Sequence, residues 1–174
     1  MKKVFIVIAL LLIAIVVIGL LLPKGYDVNR NIKIKASPAE IHSILGDLKN
    51  WKDNWGSWQG GDSSVVNTLG DITTGVGAYQ SWKSKNGGGK VIFTKSDLTG
   101  IEYDIKFDRD SIICKSYIKY QESKDYTLVT WGISGDTPNP VLGGYLTLMM
   151  DPLISGTIES DLYFLNKAVM KNKN

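Results

Sequence analysis

Residues 37–58, SPAEIHSILGDLKNWKDNWGSW, decide the fold, because a helix begins there and three tryptophans follow it. Ser37 is a preferred N-cap residue, Pro38 suits the first helical turn, and Glu40 lies where a capping-box carboxylate reaches back to the cap. Apolar side chains then recur at helical spacing, at Ile41, Ile44, Leu45 and Leu48. The sequence therefore predicts a short amphipathic helix.

The tryptophans Trp51, Trp55 and Trp58 continue beyond this helix, through a segment rich in Gly, Asn and Asp. A segment of that composition does not extend a helix. The indole rings are then either buried against another part of the chain or placed at the rim of a pocket, and both interpretations stay open.

Alternation of apolar and polar residues predicts strands on both sides of this stretch. Upstream, residues 26–36 are predicted to form a strand with one solvent-exposed face. Downstream, short strands are predicted at residues 64–69, 78–82, 90–96, 101–107, 111–120 and 126–134. Tight polar turns between them indicate an antiparallel meander, giving a sheet of about six or seven strands.

The chain closes with a second amphipathic helix over residues 152–171, where Ile154, Ile158, Leu162, Leu165 and Val169 follow at helical spacing. This order of elements predicts an α+β domain with helices on one face of a curved antiparallel sheet. A sheet that wraps the last helix without closing leaves a cavity between them. Its predicted lining is Trp82, Phe93, Tyr103, Phe107, Trp131, Met149 and Met150, with Trp51, Trp55 and Trp58 near its rim.

The N-terminus carries an unbroken apolar run at residues 4–22, preceded by Lys2 and Lys3. At helical rise it is roughly 28 Å long, close to the thickness of a bilayer hydrocarbon core. The run is longer than a typical signal-peptide core and lacks an Ala-x-Ala cleavage site, so an uncleaved signal anchor is favoured over a removed peptide. The lysine pair predicts a cytoplasmic N-terminus and a domain on the extracytoplasmic side.

Several motifs together resemble a known superfamily. They are the Ser37-Pro38-Ala39-Glu40-Ile41 opening, the spacing of Trp51, Trp55 and Trp58, Gly75-Val76-Gly77-Ala78 followed by Trp82, and Val129-Thr130-Trp131 followed by Ser134-Gly135-Asp136. In this order they resemble the polyketide cyclase/dehydrase and lipid-transport branch of the START-like (SRPBCC, Bet v 1-like) superfamily, over about residues 28–170. The resemblance implies a helix-grip fold, with two short helices after the first strand and a long C-terminal helix gripped by the sheet.

The resemblance also implies a cavity for an apolar or amphipathic ligand, but two departures prevent borrowing the ligand's identity. Relatives often carry Tyr two residues after the alanine of the glycine-rich turn, where this chain has Gln80 and Tyr79 is shifted by one position. The segment after Trp55 usually reads Ser-Pro-Trp, and here it is Gly56-Ser57-Trp58. Both changes alter the expected pocket wall.

Composition excludes several other functions. The net charge is only +3 and no basic stripe carries interleaved aromatics, so nucleic-acid binding has no support. With one histidine and one cysteine, neither a zinc-type ligand cluster nor a Cys–His nucleophile pair is predicted, and no cofactor is expected. His42 lies one position off the apolar helix face and is expected to be exposed, while Cys114 is expected to be a small strand residue. No catalytic residue is assigned.

Three classes of function stay open. The first is a membrane-tethered domain, residues 25–174 behind an anchor at residues 1–24, that binds a lipid or another hydrophobic small molecule. The second is a cyclase- or dehydratase-type enzyme in which Tyr103, Tyr79 or Asp71 moves a proton inside the same cavity. The third is an interaction domain without a ligand. Binding without catalysis is favoured because it requires only the cavity, and the oligomeric state is left open.

Overall fold

The computed structural model of the protein describes residues 2–51, 64–107 and 113–173. Its helices are α1 (Lys2–Leu21), α2 (Pro38–Leu45) and α3 (Gly143–Asn172), with a 3-10 helix at Leu48–Asn50. Its strands are β1 (Gly25–Ile34), β2 (Val66–Leu69), β3 (Tyr79–Ser84), β4 (Gly87–Asp97), β5 (Gly100–Phe107), β6 (Ile113–Glu122) and β7 (Thr127–Asp136). The predicted helix-grip α+β fold is confirmed.

The described strands form one antiparallel sheet in the order β1-β7-β6-β5-β4-β3-β2. The end of the sheet at which β1 leaves α1 is here called the α1 end, and the opposite end, at which β1 leads to α2, the α2 end. Pairing places Ser134 of β7 beside Asp27 and Lys115, and Cys114 beside Ile105. The last residues of β5 and β7 therefore lie at the α1 end, with the start of β1.

Helix α2 begins as its sequence predicts. The Ser37 side chain accepts a hydrogen bond from the Glu40 amide at 3.3 Å, and the Glu40 carboxylate accepts one from the Ser37 amide at 2.7 Å. This capping box provides partners for two of the backbone amides that would otherwise be unpaired at the start of the helix. The apolar face then buries Ile41, Ile44 and Leu45 against the sheet and α3.

Helix α3 begins at Gly143, so the predicted start at Pro152 is wrong and the proline lies inside the helix. The helix continues through this residue, and carboxylates on both sides of it pair with Arg30 of β1. The Arg30 guanidinium donates to Asp151 at 2.7 Å and to Glu159 at 2.8 Å. The buried face of α3 carries Ile158, Leu162 and Leu165 over the concave side of the sheet.

Helix α1 is long and apolar enough to cross a membrane, by length and composition. Every residue of α1 is exposed except Gly19, so the helix contributes almost nothing to the core.

Candidate functional site

A cavity of about 310 Å³ lies between the sheet and α3. Its volume falls at the lower end of the range of small-molecule sites, about 300–1,000 Å³. Aromatic and aliphatic side chains dominate its wall, and three side chains contribute hydroxyl or carboxylate groups. The described lining consists of Trp51, Trp82, Val91, Tyr103, Ile105, Phe107, Trp131, Ile133, Thr157, Ile158 and Asp161.

Strand alternation places the sheet residues of this wall. Side chains two residues apart on a strand share a face, so Tyr103, Ile105 and Phe107 of β5 all line the cavity. The exposed fraction rises along this row, from 3% at Tyr103 to 44% at Phe107. The cavity is thus closed at Tyr103 and open at Phe107, which lies at the α1 end of the sheet.

The closed wall is a cluster of three aromatic rings. Trp51 lies 5.3 Å from Tyr103 and 5.5 Å from Phe93 between ring centroids, and the contact with Tyr103 is edge to face. The Trp51 indole also donates a hydrogen bond to the Leu45 carbonyl at 3.0 Å, which ties the ring to the end of α2. Such packing and hydrogen bonding give a rigid wall.

Two aromatic rings border the open side of the cavity. Trp82 and Phe107 meet edge to face with centroids 5.8 Å apart, and both rings line the cavity. Trp82 is half-buried and Phe107 is exposed. These two rings form the mouth together with Thr157, an exposed residue of α3.

Polar groups meet on the closed side. The Trp131 indole donates to the Ser116 hydroxyl at 2.9 Å, and that hydroxyl donates to the Gly132 carbonyl at 3.0 Å. Burial raises the pKa of Tyr103, hydrogen bonding to Ser116 and Trp131 acts in the opposite direction, and the charge of Asp161 raises this pKa further. The Tyr103 phenol therefore stays protonated at neutral pH and remains a hydrogen-bond donor.

Asp161 is a site residue that the sequence analysis missed. Its side chain lines the cavity and the residue is 0% exposed. It lies three residues after Ile158 and four before Leu165, so it interrupts the apolar face of α3. That interruption was the available signal, because an acidic residue on the apolar face of a helix is uncommon and Asp is almost never fully buried unless it is paired. With Tyr103, Asp161 gives the apolar cavity one polar side.

The structure brings together Trp51, Trp82, Tyr103, Phe107 and Trp131 of the predicted lining. Phe93 is buried behind the wall, in contact with Trp51 and Tyr103. Met150 is partly buried against the core. Met149 is 54% exposed and lies outside the cavity lining, which corrects the prediction of an inward-facing side chain. Trp55 and Trp58 lie outside the described residues, and contact of any of these side chains with a ligand stays a prediction.

The other candidates for proton transfer lie away from the cavity wall. Asp71 is exposed, and the ring of Tyr79 is covered by the Lys90 ammonium 3.6 Å from its centroid. His42 is half-buried, not exposed as predicted, because its ring packs against Tyr120 with centroids 6.1 Å apart. Among the residues that the structure describes, no group of three or more His, Cys, Asp or Glu side chains could hold a metal ion.

No protein-family model matches the chain, and no curated protein matches its sequence. Solved structures do share its fold. A Staphylococcus epidermidis protein solved by NMR gives a TM-score of 0.61 at 14% identity, over 86% of this chain and 93% of that chain. The protein KanY, also solved by NMR, gives 0.61 at 15% identity over 85% of this chain and 99% of that one.

A third similar structure is DynU16, described as a protein in the dynemicin biosynthetic locus. It gives a TM-score of 0.54 at 11% identity, over 84% of this chain, and this chain spans 48% of its length. At such identities the likeness shows the fold alone. It agrees with the helix-grip architecture, and the superfamily named above stays a resemblance.

Proposed function

We propose that the protein is a membrane-tethered binding domain for a lipid or another hydrophobic small molecule. The observation that carries the proposal is the cavity of about 310 Å³ whose aromatic and aliphatic wall has one polar side. Sites of this composition take up apolar ligands and orient them through a few polar contacts. Here the neutral phenol of Tyr103 and the carboxylate of Asp161 would orient the polar end of the ligand.

The size of the cavity limits the ligand. At the lower end of the usual range, it suits one short acyl chain or a molecule of two or three rings rather than a complete two-chain phospholipid. Each buried CH₂ group would stabilise the complex by about 0.8 kcal/mol. A ligand of this size would therefore owe most of its affinity to burial and its orientation to the polar side.

The tether in this proposal is α1. Its length and composition suit a membrane span, and the lysine pair at positions 2 and 3 favours a cytoplasmic N-terminus. Residues 1–24 would then be the anchor, and residues 25–174 the ligand-binding domain on the extracytoplasmic side.

A cyclase-type enzyme is the second candidate, and one observation favours it. Tyr103 faces the cavity and Asp161 lies beside it, so a proton donor and a carboxylate share one apolar enclosure. Binding alone remains the better-supported function, because it needs no reaction beyond what the cavity wall offers.

A variant in which a large side chain blocks the cavity mouth tests the binding function. Thr157→Trp places a large side chain at the mouth, and Thr94→Trp places the same side chain at an exposed position outside the cavity lining. Native mass spectrometry of the full-length chain, released from detergent micelles after incubation with dodecanoic acid, measures what is retained. We expect the unchanged chain and Thr94→Trp to carry a bound molecule, and Thr157→Trp to retain at least about tenfold less, or about 1.4 kcal/mol.

The binding proposal fails if the unchanged chain retains neither a co-purified molecule nor dodecanoic acid, or if the two tryptophan variants retain equal amounts. Tyr103→Phe separates the second candidate from the first. A carrier leaves the bound molecule chemically unchanged with or without this hydroxyl, whereas an enzyme converts the molecule and loses that conversion in Tyr103→Phe.

A further inference from the structure

An apolar stripe runs along the exposed face of the first three turns of α3. Leu142, Leu146, Met149 and Leu153 are 56%, 44%, 54% and 61% exposed. Their spacing of four, three and four residues places them in one row on the helix surface. This row is called the α3 stripe, and it is unusual because large apolar side chains in a soluble helix normally face the core.

The beginning of α3 packs directly on α1. The Tyr145 hydroxyl donates to the Ile15 carbonyl at 2.8 Å. A Cβ atom on Gly19 would overlap the Val141 carbonyl oxygen, and one on Gly144 would overlap the Leu22 side chain. Glycines that let two backbones approach in this way are typical of helix contacts inside membranes.

These contacts set the depth of α3 relative to α1. Gly19 lies two residues before the end of α1 and Ile15 six residues before it, or about 3 Å and 9 Å at helical rise. In the other direction, the Thr147 hydroxyl donates to the Lys24 carbonyl at 3.1 Å, beyond the end of α1. The first turn of α3 thus lies level with the last turns of the anchor helix.

The cavity mouth lies on the same side of the molecule. Phe107 and Ile105 are at the α1 end of the sheet, and Cys114, which pairs with Ile105, contacts the hydroxyl of Tyr26 at the start of β1 at 3.2 Å. On α3, Thr157 of the mouth follows Leu153 of the stripe by one helical turn. The α3 stripe therefore leads from the anchor helix to the mouth.

We infer that the α3 stripe lies in the headgroup–acyl boundary of the bilayer that α1 spans, so that the cavity opens at the membrane surface and takes an acyl chain directly from it. The inference rests on the proposed anchoring by α1. Interfacial helices bury their apolar face about 5–10 Å into this boundary, which is comparable with the roughly 9 Å from the end of α1 at which the Tyr145 side chain reaches the Ile15 carbonyl. A second copy is the weaker occupant, because four side chains offer far less than the roughly 800 Å² a side that stable dimers bury.

Depth-dependent quenching tests the placement in the full-length chain, with Cys114→Ala removing its natural thiol. Single cysteines at Leu146→Cys and Met149→Cys carry an environment-sensitive nitrobenzoxadiazole label in phosphatidylcholine vesicles containing doxyl-labelled lipid. Ile13→Cys in α1 reports anchoring, and Lys167→Cys, exposed further along α3, is the aqueous control. We expect strong quenching at positions 13, 146 and 149, and at least about threefold less at 167.

Each contrary result has a separate meaning. Quenching at position 13 without quenching at 146 and 149 leaves the anchor intact and overturns the placement of the stripe. No quenching at 13 overturns the anchor itself, and with it this inference. A label at 146 or 149 that is shielded from water yet not quenched by doxyl lipid identifies a second copy as the occupant and also overturns the inference.

A second pair of labelled positions tests where the cavity mouth lies relative to the membrane. A label at Phe107→Cys should be quenched by doxyl groups near the headgroup, and a label at Thr94→Cys, outside the cavity lining, should not. If Phe107 behaves like Thr94 while Leu146 is quenched, the stripe is in the membrane but the cavity does not open there, and uptake from the bilayer is excluded.

Discussion

The two ends of the sheet use the same strands and the same concave face, yet they differ in packing. At the α2 end, Ile34, Ile101 and Val129 are 0% exposed beneath the helices. At the α1 end, β5 leaves Ile105 half-buried and Phe107 exposed. The strands themselves do not cause this difference, because their alternation of apolar and polar residues continues to both ends.

The cause is the coverage by α2. This helix packs against α3 and β6 at one end only, and the 3-10 helix that follows it ends in Trp51, which forms the closed wall of the cavity. Beyond Trp51 the sheet is faced by α3 alone within the described residues. A short helix therefore divides one concave face into a packed core and a cavity.

The largest effect should come from truncating matched isoleucines at the two ends. Ile101→Ala should lower the free energy of unfolding by about 2–5 kcal/mol, since it opens a void in a filled core. Ile133→Ala should cost about 1 kcal/mol, because its side chain already borders the cavity and is only partly buried. Urea titration of the full chain in detergent, followed by tryptophan fluorescence, measures both. Equal losses would show that the α1 end is packed as tightly as the α2 end.

The next effect concerns the polar side of the cavity. Asp161→Leu restores the apolar row between Ile158 and Leu165 and should raise the free energy of unfolding by about 1 kcal/mol, because it removes the desolvation cost of a fully buried polar side chain. The same change should reduce retention of dodecan-1-ol several-fold, because it removes the side chain that would accept a hydrogen bond from the hydroxyl of this ligand. Asp161→Asn keeps the side-chain volume and serves as the control for charge alone. A loss of stability of about 3 kcal/mol or more in Asp161→Leu would instead assign the carboxylate a structural role.

The sheet side of the cavity could be predicted from the sequence because strand alternation is a local property. Tyr103 and Phe107 are four residues apart on one predicted strand, so the two-residue period of side-chain orientation places them on the same face of the sheet. Trp131 of β7 and Trp82 of β3 followed by the same rule. The capping box of Ser37 and Glu40 likewise involves only neighbouring residues.

The helix side could not be predicted as well, because the orientation of α3 depends on contacts with distant residues. Arg30 of β1 pairs with α3 on both sides of Pro152, and in the resulting packing Met149 is exposed. The sequence analysis missed Asp161 because it considered only the apolar residues on this face of the helix. The volume of the cavity depends on the gap between the two layers, which no local pattern contains.

The smallest expected effect is a pH dependence confined to the α2 end. Burial lowers the pKa of His42, and the Asp97 carboxylate acts in the opposite direction. The ring packs on Tyr120 and lies 3.5 Å from the Ser96 hydroxyl. Because the unfolded chain binds this proton near pH 6.5 and the folded chain only at lower pH, the stability due to the neutral ring is complete above about pH 6.5. It is lost as the pH falls through the folded value.

Urea titrations at pH 7.5 and 5.5 should therefore show a larger loss of stability in the unchanged chain than in His42→Gln. Subtracting the loss of stability in His42→Gln from the loss in the unchanged chain cancels the contribution of the carboxylates, which both chains share. These carboxylates include Glu40, whose pKa is lowered by its hydrogen bonds to Ser37. Because His42 belongs to the packed end, acidification should leave retention of dodecanoic acid the same in both chains. If acid instead empties the cavity of the unchanged chain and not that of His42→Gln, the two ends are coupled through α2. The division of the concave face into independent halves would then have to be abandoned.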